Sequence, residues 1–434
     1  MLFNHNQTWT PHIIEDIHAK AQLGRYRLRG FSTNQRVPHF DDLVFLPSGL
    51  TRIPLEGYKE TCDTTTILGK KSAKYPIKLD TPVYISGMSY GALSKSAKIA
   101  LAKGAAMVGS ASCTGDGGML PEERQFAKVM IFQMNASRYG IDPNDMVNAD
   151  GVEVVVGQGA KPGTGGLLMG QKVSEIIGLK RDLPVGIDQR SATRHPEWLG
   201  PDDLAIFIEL LREITDWKVP IQIKLPACRV KDDVKLAAKA GADIIVVDGM
   251  QAGTGASAEV LLNHTAIPTM PAIVQAREAL EELGLTDEIS LVASGGIRNG
   301  ADMAKALALG ADAVAIGQAA MIALNCNREL PGITNFVKEI GVEAGFCNKC
   351  NTGKCPVGIT TQEPKLEKRL NIDDSSTQVA NFLNSMTMEA GIIARSLGKS
   401  NIHSLEPEDL VALSIEASAM AKVPLAGTNK IFGI

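Results

Sequence analysis

The sequence predicts an α/β fold: a (β/α)8 TIM barrel, preceded by an N-terminal lead-in segment and followed by a C-terminal extension with a cysteine cluster and helices. Three observations carry this prediction. Short apolar runs alternate with Ala/Lys-rich helical stretches between residues 80 and 320. The runs are apolar on both faces, as strands of a parallel sheet covered on both sides must be. Eight of them span about 240 residues, near the ~250 residues typical of such a barrel.

The predicted strands are short and mostly rich in β-branched residues. They cover residues 83–86, 106–109, 129–133, 152–158, 221–225, 244–248, 291–294 and 313–317. Helices are predicted between many of them, at 93–103, 204–214, 234–240, 273–283 and 301–309, which gives βαβ units. An open doubly wound sheet built from the same strands is the alternative architecture.

The chain of 434 residues divides into three predicted regions. Residues 1–75 form an irregular lead-in region with several prolines, and residues 76–325 form the barrel. Residues 326–434 form a cysteine loop and a helical extension, with a connecting helix at 330–345 and further helices at 378–397 and 407–423.

Composition excludes several classes of partner. With 44 Lys+Arg against 48 Asp+Glu, the net charge is −4, so bulk electrostatics favours neither nucleic acid nor an anionic membrane. No run reaches the ~18 apolar residues of a membrane span; the nearest run, at 313–326, is too short. Residues 1–5 lack the pattern of a signal peptide. We therefore expect a cytoplasmic enzyme with no nucleic-acid or membrane partner.

Glycine-rich turns follow five of the predicted strands. They lie at 86–91, 158–166, 248–255, 294–296 and 317–318. In a barrel these turns share one rim, which is where such enzymes place their active sites. Backbone N–H groups of the glycines after strands seven and eight favour an anion. We therefore predict a phosphate-bearing ligand at Ser294, Gly295, Gly296, Gly317 and Gln318, and the absence of an early G-x-G-x-x-G argues against a dinucleotide.

Lys224 interrupts the apolar fifth strand near its end. An ammonium group in such a strand is costly unless it meets a partner at the barrel mouth. It could stabilise negative charge on a reduced flavin there, and the plain alternative is an edge position with the amine in solvent.

Three of the seven cysteines, Cys347, Cys350 and Cys355, fall within nine residues. A proline follows the last one, as often happens in iron–sulfur ligation. Zinc would need four ligands, and no histidine lies nearby in the sequence. Cys326 could supply a fourth ligand if the fold returns it to the loop. A three-iron cluster, a four-iron cubane and three unliganded thiols all remain open on spacing alone.

Four motifs resemble the FMN-binding synthase domain of glutamate synthase. They occur in the same order at 88–91 (MSYG), 158–163 (QGAKPG), 253–257 (GTGAS) and 355–362 (CPVGITTQ). The whole chain is similar to the free-standing members of that family, which include the flavin subunit of N-methylglutamate synthase. The resemblance implies a (β/α)8 barrel, FMN and a 3Fe-4S cluster. It also implies reduction of a 2-imino acid, formed from 2-oxoglutarate and ammonia, by hydride from flavin N5.

The resemblance further implies roles for individual residues. Ser86, Gln133 and Lys224 would contact the isoalloxazine, and Gly295, Gly296, Gly317 and Gln318 the phosphate. The rest of the FMN site would comprise Gly87, Met88, Ser89, Gly253, Gly255 and Ser294. Lys161 and Arg181 would face the carboxylates of the 2-oxo acid, as fixed cations should. Asp116 stands where the family usually has glutamate, and the cluster ligands would be Cys347, Cys350 and Cys355.

The chain departs from the family pattern at two substrate contacts. Val155 stands where the family has a lysine, and Leu167 where it has a glutamine. The cysteines run C-x2-C-x4-C instead of C-x5-C-x4-C, and Cys326 occupies the place of the first ligand. Because Met1 is followed by Leu2, we expect no N-terminal cysteine nucleophile of a glutaminase in this chain.

We therefore expect a flavoenzyme subunit that reduces a 2-iminoglutarate-type species to glutamate or N-methylglutamate. Ammonia or an amine would come from separate subunits of amidotransferase and glycine-rich-repeat type, and electrons from a donor such as ferredoxin. One alternative is another flavin- or phosphate-binding barrel enzyme, such as an isomerase or a nucleotide dehydrogenase. The other alternative is a non-catalytic electron-relay subunit.

Overall fold

Eight parallel strands close into a barrel in chain order, so the predicted (β/α)8 fold is confirmed. The computed structural model describes residues 8–433, and the predictions for residues 1–5 lie outside that range. Pairing of Val314 with Val83 joins the last strand to the first and closes the barrel. The strands are β1 Val83–Ile85, β2 Ala111–Cys113, β3 Val129–Met134, β4 Gly151–Val155, β5 Ile221–Pro226, β6 Ile244–Asp248, β7 Ser290–Ser294 and β8 Ala313–Ile316.

Helices cover the outside of the barrel, and the long helix α14 (Ile372–Ser396) packs on α2 (Lys95–Met107) and α10 (Gly300–Ala308). In α2 the side chain of Ser94 accepts from the N–H of Ala97 and caps the first turn. The helices are α1 Pro11–Leu23, α2 Lys95–Met107, α3 Pro121–Phe126, α4 Pro143–Val147, α5 Glu175–Arg181, α6 Pro201–Ile214, α7 Val230–Lys239, α8 Glu259–His264, α9 Thr269–Leu283, α10 Gly300–Ala308, α11 Gln318–Ala323, α12 Phe336–Ile340, α13 Pro364–Glu367, α14 Ile372–Ser396 and α15 Ile415–Ala421.

A hairpin closes the N-terminal end of the barrel. Its strands, Thr66–Leu68 and Ile77–Leu79, pair antiparallel. Leu68 belongs to the same buried cluster as inward-facing residues of the barrel strands such as Val246 and Val292. The backbone N–H of Gly69 donates to Ser290 Oγ at 3.1 Å. With this end filled, the open end of the barrel is the one that carries the loops after the strands.

The remaining short strands join distant parts of the chain in antiparallel pairs. Leu28–Phe31 pairs with Thr254–Ala258, Leu43–Phe45 with Leu410–Ala412, and Leu167–Leu168 with Gln189–Arg190. Single 3-10 turns lie at Phe40–Asp42, Gly170–Lys172, Ile402–Ser404 and Pro407–Asp409. The lead-in region is therefore attached both to the barrel mouth and to the C-terminal extension.

Three predicted elements were wrong. Residues 106–109 are not the second strand, because α2 runs on to Met107 and β2 is Ala111–Cys113. The helix predicted at 330–345 covers only Phe336–Ile340, since Pro331 and Gly332 disfavour helix at the beginning of the predicted range. Residues 407–423 are a 3-10 turn, a strand and a seven-residue helix, because the strand pairs with the lead-in region.

Among the helices of residues 8–433, none combines the length and the hydrophobicity that a membrane span requires.

Candidate active site

A cavity of about 720 Å³ lies at the carboxyl ends of the barrel strands. The predicted flavin and substrate residues all line it, although they come from nine separate stretches of chain. These are Ser86, Gly87, Met88, Ser89, Asp116, Gln133, Lys161, Arg181, Lys224, Gly253, Gly255, Ser294, Gly295, Gly296, Gly317 and Gln318. The volume is within the range of small-molecule and cofactor sites.

The loops after β7 and β8 form the glycine-lined part of the wall. Gly295 and Gly296 adopt φ angles of +105° and +76°, which favour glycine. A Cβ on Gly296 would lie 2.6 Å from the Cβ of Gln251, so a side chain does not fit there. Within residues 8–433, the backbone N–H groups of Gly295, Gly296 and Gly317 make no hydrogen bond. This part of the wall therefore offers free donors to an anion.

Lys224, at the inner end of the cavity, is 3% exposed. Its Nζ donates to Ser86 Oγ at 3.1 Å and lies 4.0 Å from Asp248 Oδ2. Burial lowers the pKa of Lys224, but the negative charges of Asp248 and Glu153 outweigh burial, and the net pKa is raised. The ammonium group therefore stays charged inside the barrel.

A buried carboxylate, Glu153 on β4, organises the polar groups below the cavity. Its Oε1 accepts from Gln133 Nε2 at 2.5 Å, and its Oε2 accepts from Gln222 Nε2. A carboxylate only accepts hydrogen bonds, so it fixes the amide nitrogen of Gln133 on its own side. The amide oxygen of Gln133 is then free to accept a hydrogen bond from another group.

Lys161, in the loop after β4, is a second buried ammonium group, 9% exposed. Its Nζ makes no hydrogen bond or ion pair with any of residues 8–433, and the side chain lines the cavity. Burial lowers its pKa, the charge of Asp116 raises it, and the charge of Lys224 lowers it further. An unpaired buried cation beside an open cavity is suited to an anionic ligand.

Arg181 also lines the cavity, but its guanidinium is largely occupied by the protein. Nη1 donates to Gln189 Oε1 at 2.7 Å, and Nη2 donates to the carbonyls of Tyr90 and Asp116. The guanidinium carbon lies 5.1 Å from the ring centre of Tyr139. Its buried Nε has no hydrogen-bond partner among the described residues. Arg181 thus holds the loops after β1 and β2 against helix α5.

Several polar residues in and below the cavity were not predicted from the sequence. The Tyr139 hydroxyl donates to Asp116 Oδ2 at 3.1 Å, and burial raises its pKa. Glu153 and Gln189 are likewise buried polar side chains. A polar residue in the apolar strand 151–155 was a signal for Glu153. Tyr139 and Gln189 lie in irregular segments with no such signal.

The strand Leu28–Phe31 borders the cavity mouth. Phe31 and Ser32 line the cavity, and Ser32 Oγ donates to the carbonyl of Gln251 at 2.6 Å. Gly30 donates through its N–H to the carbonyl of Asn348 at 3.1 Å, in the cysteine loop. The lead-in region therefore connects the mouth of the cavity with the cysteine loop.

The fold brings Cys326 to Cys347, Cys350 and Cys355, and the four line one small cavity. Burial raises the pKa of Cys326 and Cys347, and that of Cys350 to about 12. Among residues 8–433, no three of these sulfurs lie within 4.8 Å of one another. A single zinc ion with Zn–S bonds of 2.3 Å would need sulfurs about 3.8 Å apart. Three of these sulfurs are therefore too far apart to share one zinc ion at that bond length.

The two cavities share a wall, because Cys350 and Thr360 line both. Lys172 lies at this wall and is 2% exposed. Its Nζ donates to the carbonyl of Ala92, which lines the larger cavity, at 2.7 Å and to that of Cys350 at 3.1 Å. Burial lowers the pKa of Lys172 to about 8, and the electrostatic interaction with Cys350 and Cys355 opposes the shift.

Sequence comparison identifies relatives along nearly the whole chain. Residues 33–400 match the family model described as a conserved region in glutamate synthase. A glutamate synthase large subunit-like protein of Rhizobium meliloti is 52% identical over 97% of this chain and 95% of the relative. An archaeal glutamate synthase [NADPH] of Methanocaldococcus jannaschii is 35% identical over 92% of this chain and 78% of the relative.

Solved structures share the fold at low identity. The flavin-binding domain of baker's yeast flavocytochrome b2 has a TM-score of 0.51 and 18% identity, over 86% of this chain and 76% of that one. The lactate oxidase of Pediococcus acidilactici has a TM-score of 0.52 and 16% identity, over 89% of each chain. At such identity these structures support the barrel alone. The family match and the relatives together show that this chain belongs to the glutamate synthase family of oxidoreductases.

Proposed function

We propose that this chain is the FMN-dependent synthase subunit of a glutamate synthase-type enzyme. It would reduce a 2-iminoglutarate-type species, formed from 2-oxoglutarate and ammonia or an amine, to glutamate or N-methylglutamate. The observation that carries this proposal is the pair of buried ammonium groups, Lys161 and Lys224, facing one cavity with a glycine-lined wall.

The residues present fit FMN. The free N–H groups of Gly295, Gly296 and Gly317 would bind its phosphate. Lys224 would lie beside the ring system, where a fixed positive charge favours the reduced form. Gln133, whose amide nitrogen is held by Glu153, would accept a hydrogen bond from the ring through its oxygen. When bound, FMN would supply the hydride that converts the imine carbon to an amine carbon.

The substrate would lie between the flavin and the two cations that the resemblance assigns to it. Lys161 would bind a carboxylate of the 2-oxo acid, because its ammonium has no partner among residues 8–433. Arg181, which also lines the cavity, would add its positive charge to this end of the site. Asp116 and Tyr139 share a hydrogen bond beside them and would hold the proton that the imine nitrogen takes up on reduction.

The cysteine loop fits an iron–sulfur cluster, with 3Fe-4S favoured over 4Fe-4S. Cys347, Cys350 and Cys355 are the proposed ligands, and Cys326 lies close enough to line the same cavity. A donor such as ferredoxin would deliver two electrons singly through this cluster for each imine reduced. Ammonia or the amine would come from separate amidotransferase-type and glycine-rich-repeat subunits.

Anaerobic turnover tests the proposal. The purified chain, reconstituted with its partner subunits and a reduced electron donor, is given 2-oxoglutarate with ammonia or methylamine in parallel. We expect a yellow, iron-containing protein that forms glutamate or N-methylglutamate. A colourless protein that does not bind added FMN would contradict the cofactor assignment. A yellow protein that accepts electrons but forms no product with either amine would instead favour an electron-relay role.

A further inference from the structure

We propose that Lys172 is a fixed positive charge that raises the reduction potential of the cluster and so favours its acceptance of electrons destined for the flavin. This inference rests on the proposed function. It goes beyond that function in naming the group that tunes the cluster. Lys172 is neither a cysteine ligand nor one of the residues that the family resemblance singles out.

The position of Lys172 supports this role. The side chain is 2% exposed, and its ammonium is held by two carbonyls, those of Ala92 and Cys350, at 2.7 and 3.1 Å. Ala92 lines the flavin cavity and Cys350 lines both cavities. The charge therefore lies in the wall between the two proposed redox centres.

The surrounding segment fixes this charge in place. Lys172 ends the 3-10 turn Gly170–Lys172, and the N–H of Gly170 donates to Asp188 Oδ1 at 2.7 Å. The neighbouring Gln171 donates through Nε2 to the carbonyl of Asn351 in the cysteine loop at 3.1 Å. The backbone before Lys172 is therefore held, and the ammonium cannot move into solvent without losing its bonds to the carbonyls of Ala92 and Cys350.

The positive charge of Lys172 should raise the reduction potential of the cluster for an electrostatic reason. A cluster gains one negative charge when it accepts one electron. A buried cation stabilises the reduced form more than an exposed one does, because solvent screens the exposed charge. Clusters are tuned by net charge, hydrogen bonds and solvent exposure. Loss of the Lys172 charge should therefore lower the potential.

The test is a potentiometric titration of the cluster, followed by electron paramagnetic resonance, in the complete protein. Lys172→Met removes the charge, Lys172→Arg keeps it, and Lys354→Met removes an exposed charge next to Cys355. We expect Lys172→Met to lower the potential. Lys172→Arg should stay near the wild-type value, and Lys354→Met should shift it much less than Lys172→Met.

The outcomes separate this inference from the function beneath it. A wild-type protein without iron or a cluster signal refutes the cluster assignment and this inference with it. A cluster whose potential is unchanged in Lys172→Met overturns the inference and leaves the proposed function standing. Loss of the cluster in Lys172→Met but not in Lys172→Arg overturns the inference, since the charge would then serve to hold the cluster and not to set its potential. Loss in both variants overturns it, since packing of the loop would then be the function of this side chain.

Discussion

Replacing each of the two cavity lysines by methionine should separate substrate binding from folding. Lys161 and Lys224 are both buried, but only Lys224 has protein partners for its ammonium group within the described chain. Lys161→Met removes a charge that faces the cavity, and Lys224→Met removes a charge that neutralises buried carboxylates. We therefore expect Lys161→Met to lose substrate affinity and Lys224→Met to lose stability as well as turnover.

For Lys161→Met we expect a loss of substrate affinity without a loss of stability. A hydrogen bond to a charged group contributes about 1.5–3 kcal/mol, which corresponds to roughly 10- to 150-fold in binding. The KM for 2-oxoglutarate should rise by this factor. The free energy of unfolding should equal or exceed that of the wild type, because a buried cation that burial disfavours has been removed.

For Lys224→Met we expect a loss of stability as well as of turnover. Asp248 and Glu153 are each 3% exposed, and in this variant both lose the buried cation whose pKa they raise. Removing one partner of a buried charge pair costs about 3–5 kcal/mol. Loss of a preorganised charge beside the reacting atoms slows turnover by about 10²–10³.

The assays are urea unfolding and steady-state kinetics with 2-oxoglutarate, with Lys239→Met as an exposed control. An unchanged KM in Lys161→Met would refute the role of that ammonium in substrate binding. Equal destabilisation by Lys161→Met and Lys224→Met would refute the distinction between an unpaired and a paired lysine.

The stability of Lys161→Met relative to wild type should also depend on pH. The pKa of Lys161 is lowered in the folded protein, so the unfolded chain binds more protons above that folded pKa. The free energy of unfolding of the wild type then rises with pH up to the ordinary lysine pKa of 10.5. The difference in free energy of unfolding by which Lys161→Met exceeds the wild type should therefore shrink over that range. Urea midpoints measured from pH 7 to 10 would check this, and a constant difference would contradict it.

Three further substitutions test other parts of the site. Gly296→Ala should weaken FMN binding and destabilise the fold more than Gly332→Ala, as judged by flavin fluorescence and urea unfolding. The two glycines have φ angles of +76° and +75°, but a Cβ meets a side-chain carbon at 2.6 Å only at the first of them. Cys350→Ser should abolish the cluster, whereas Cys228→Ser, at an exposed thiol, should keep the wild-type iron content. Glu153→Gln should lower the free energy of unfolding by about 1.5–3 kcal/mol in urea, because two amides lose a charged acceptor.

Periodicity in the sequence was enough to locate most of the barrel. The runs that became β3, β5, β6 and β8 are long or rich in β-branched residues, and a sheet buried on both faces requires such runs. β2 was misplaced because its residues, Ala-Ser-Cys, have no strong strand preference. The preceding Ala106 and Met107 extend a helix as readily as they start a strand.

The elements that the sequence did not reveal depend on partners distant in the chain. The strand Leu410–Ala412 forms because Leu43–Phe45 offers it hydrogen bonds across 365 residues of sequence. Cys326 reaches the cysteine loop because the chain turns back after α11, where Asn327 donates to the carbonyl of Cys347 at 3.1 Å. Neither pairing has a local signal, since both depend on contacts made only after the barrel closes.

The sequence by itself determined that a parallel barrel forms, that glycine turns follow its strands, and that a lysine ends the fifth strand, because backbone preference and hydrophobic period act locally. Only the tertiary structure decided which charges face each other. It left Lys161 without a partner among the described residues, engaged Arg181 with carbonyls and Gln189, and placed Lys172 between two cavities. The energy of a buried charge depends on neighbours a few ångströms away, and those neighbours come from loops after different strands.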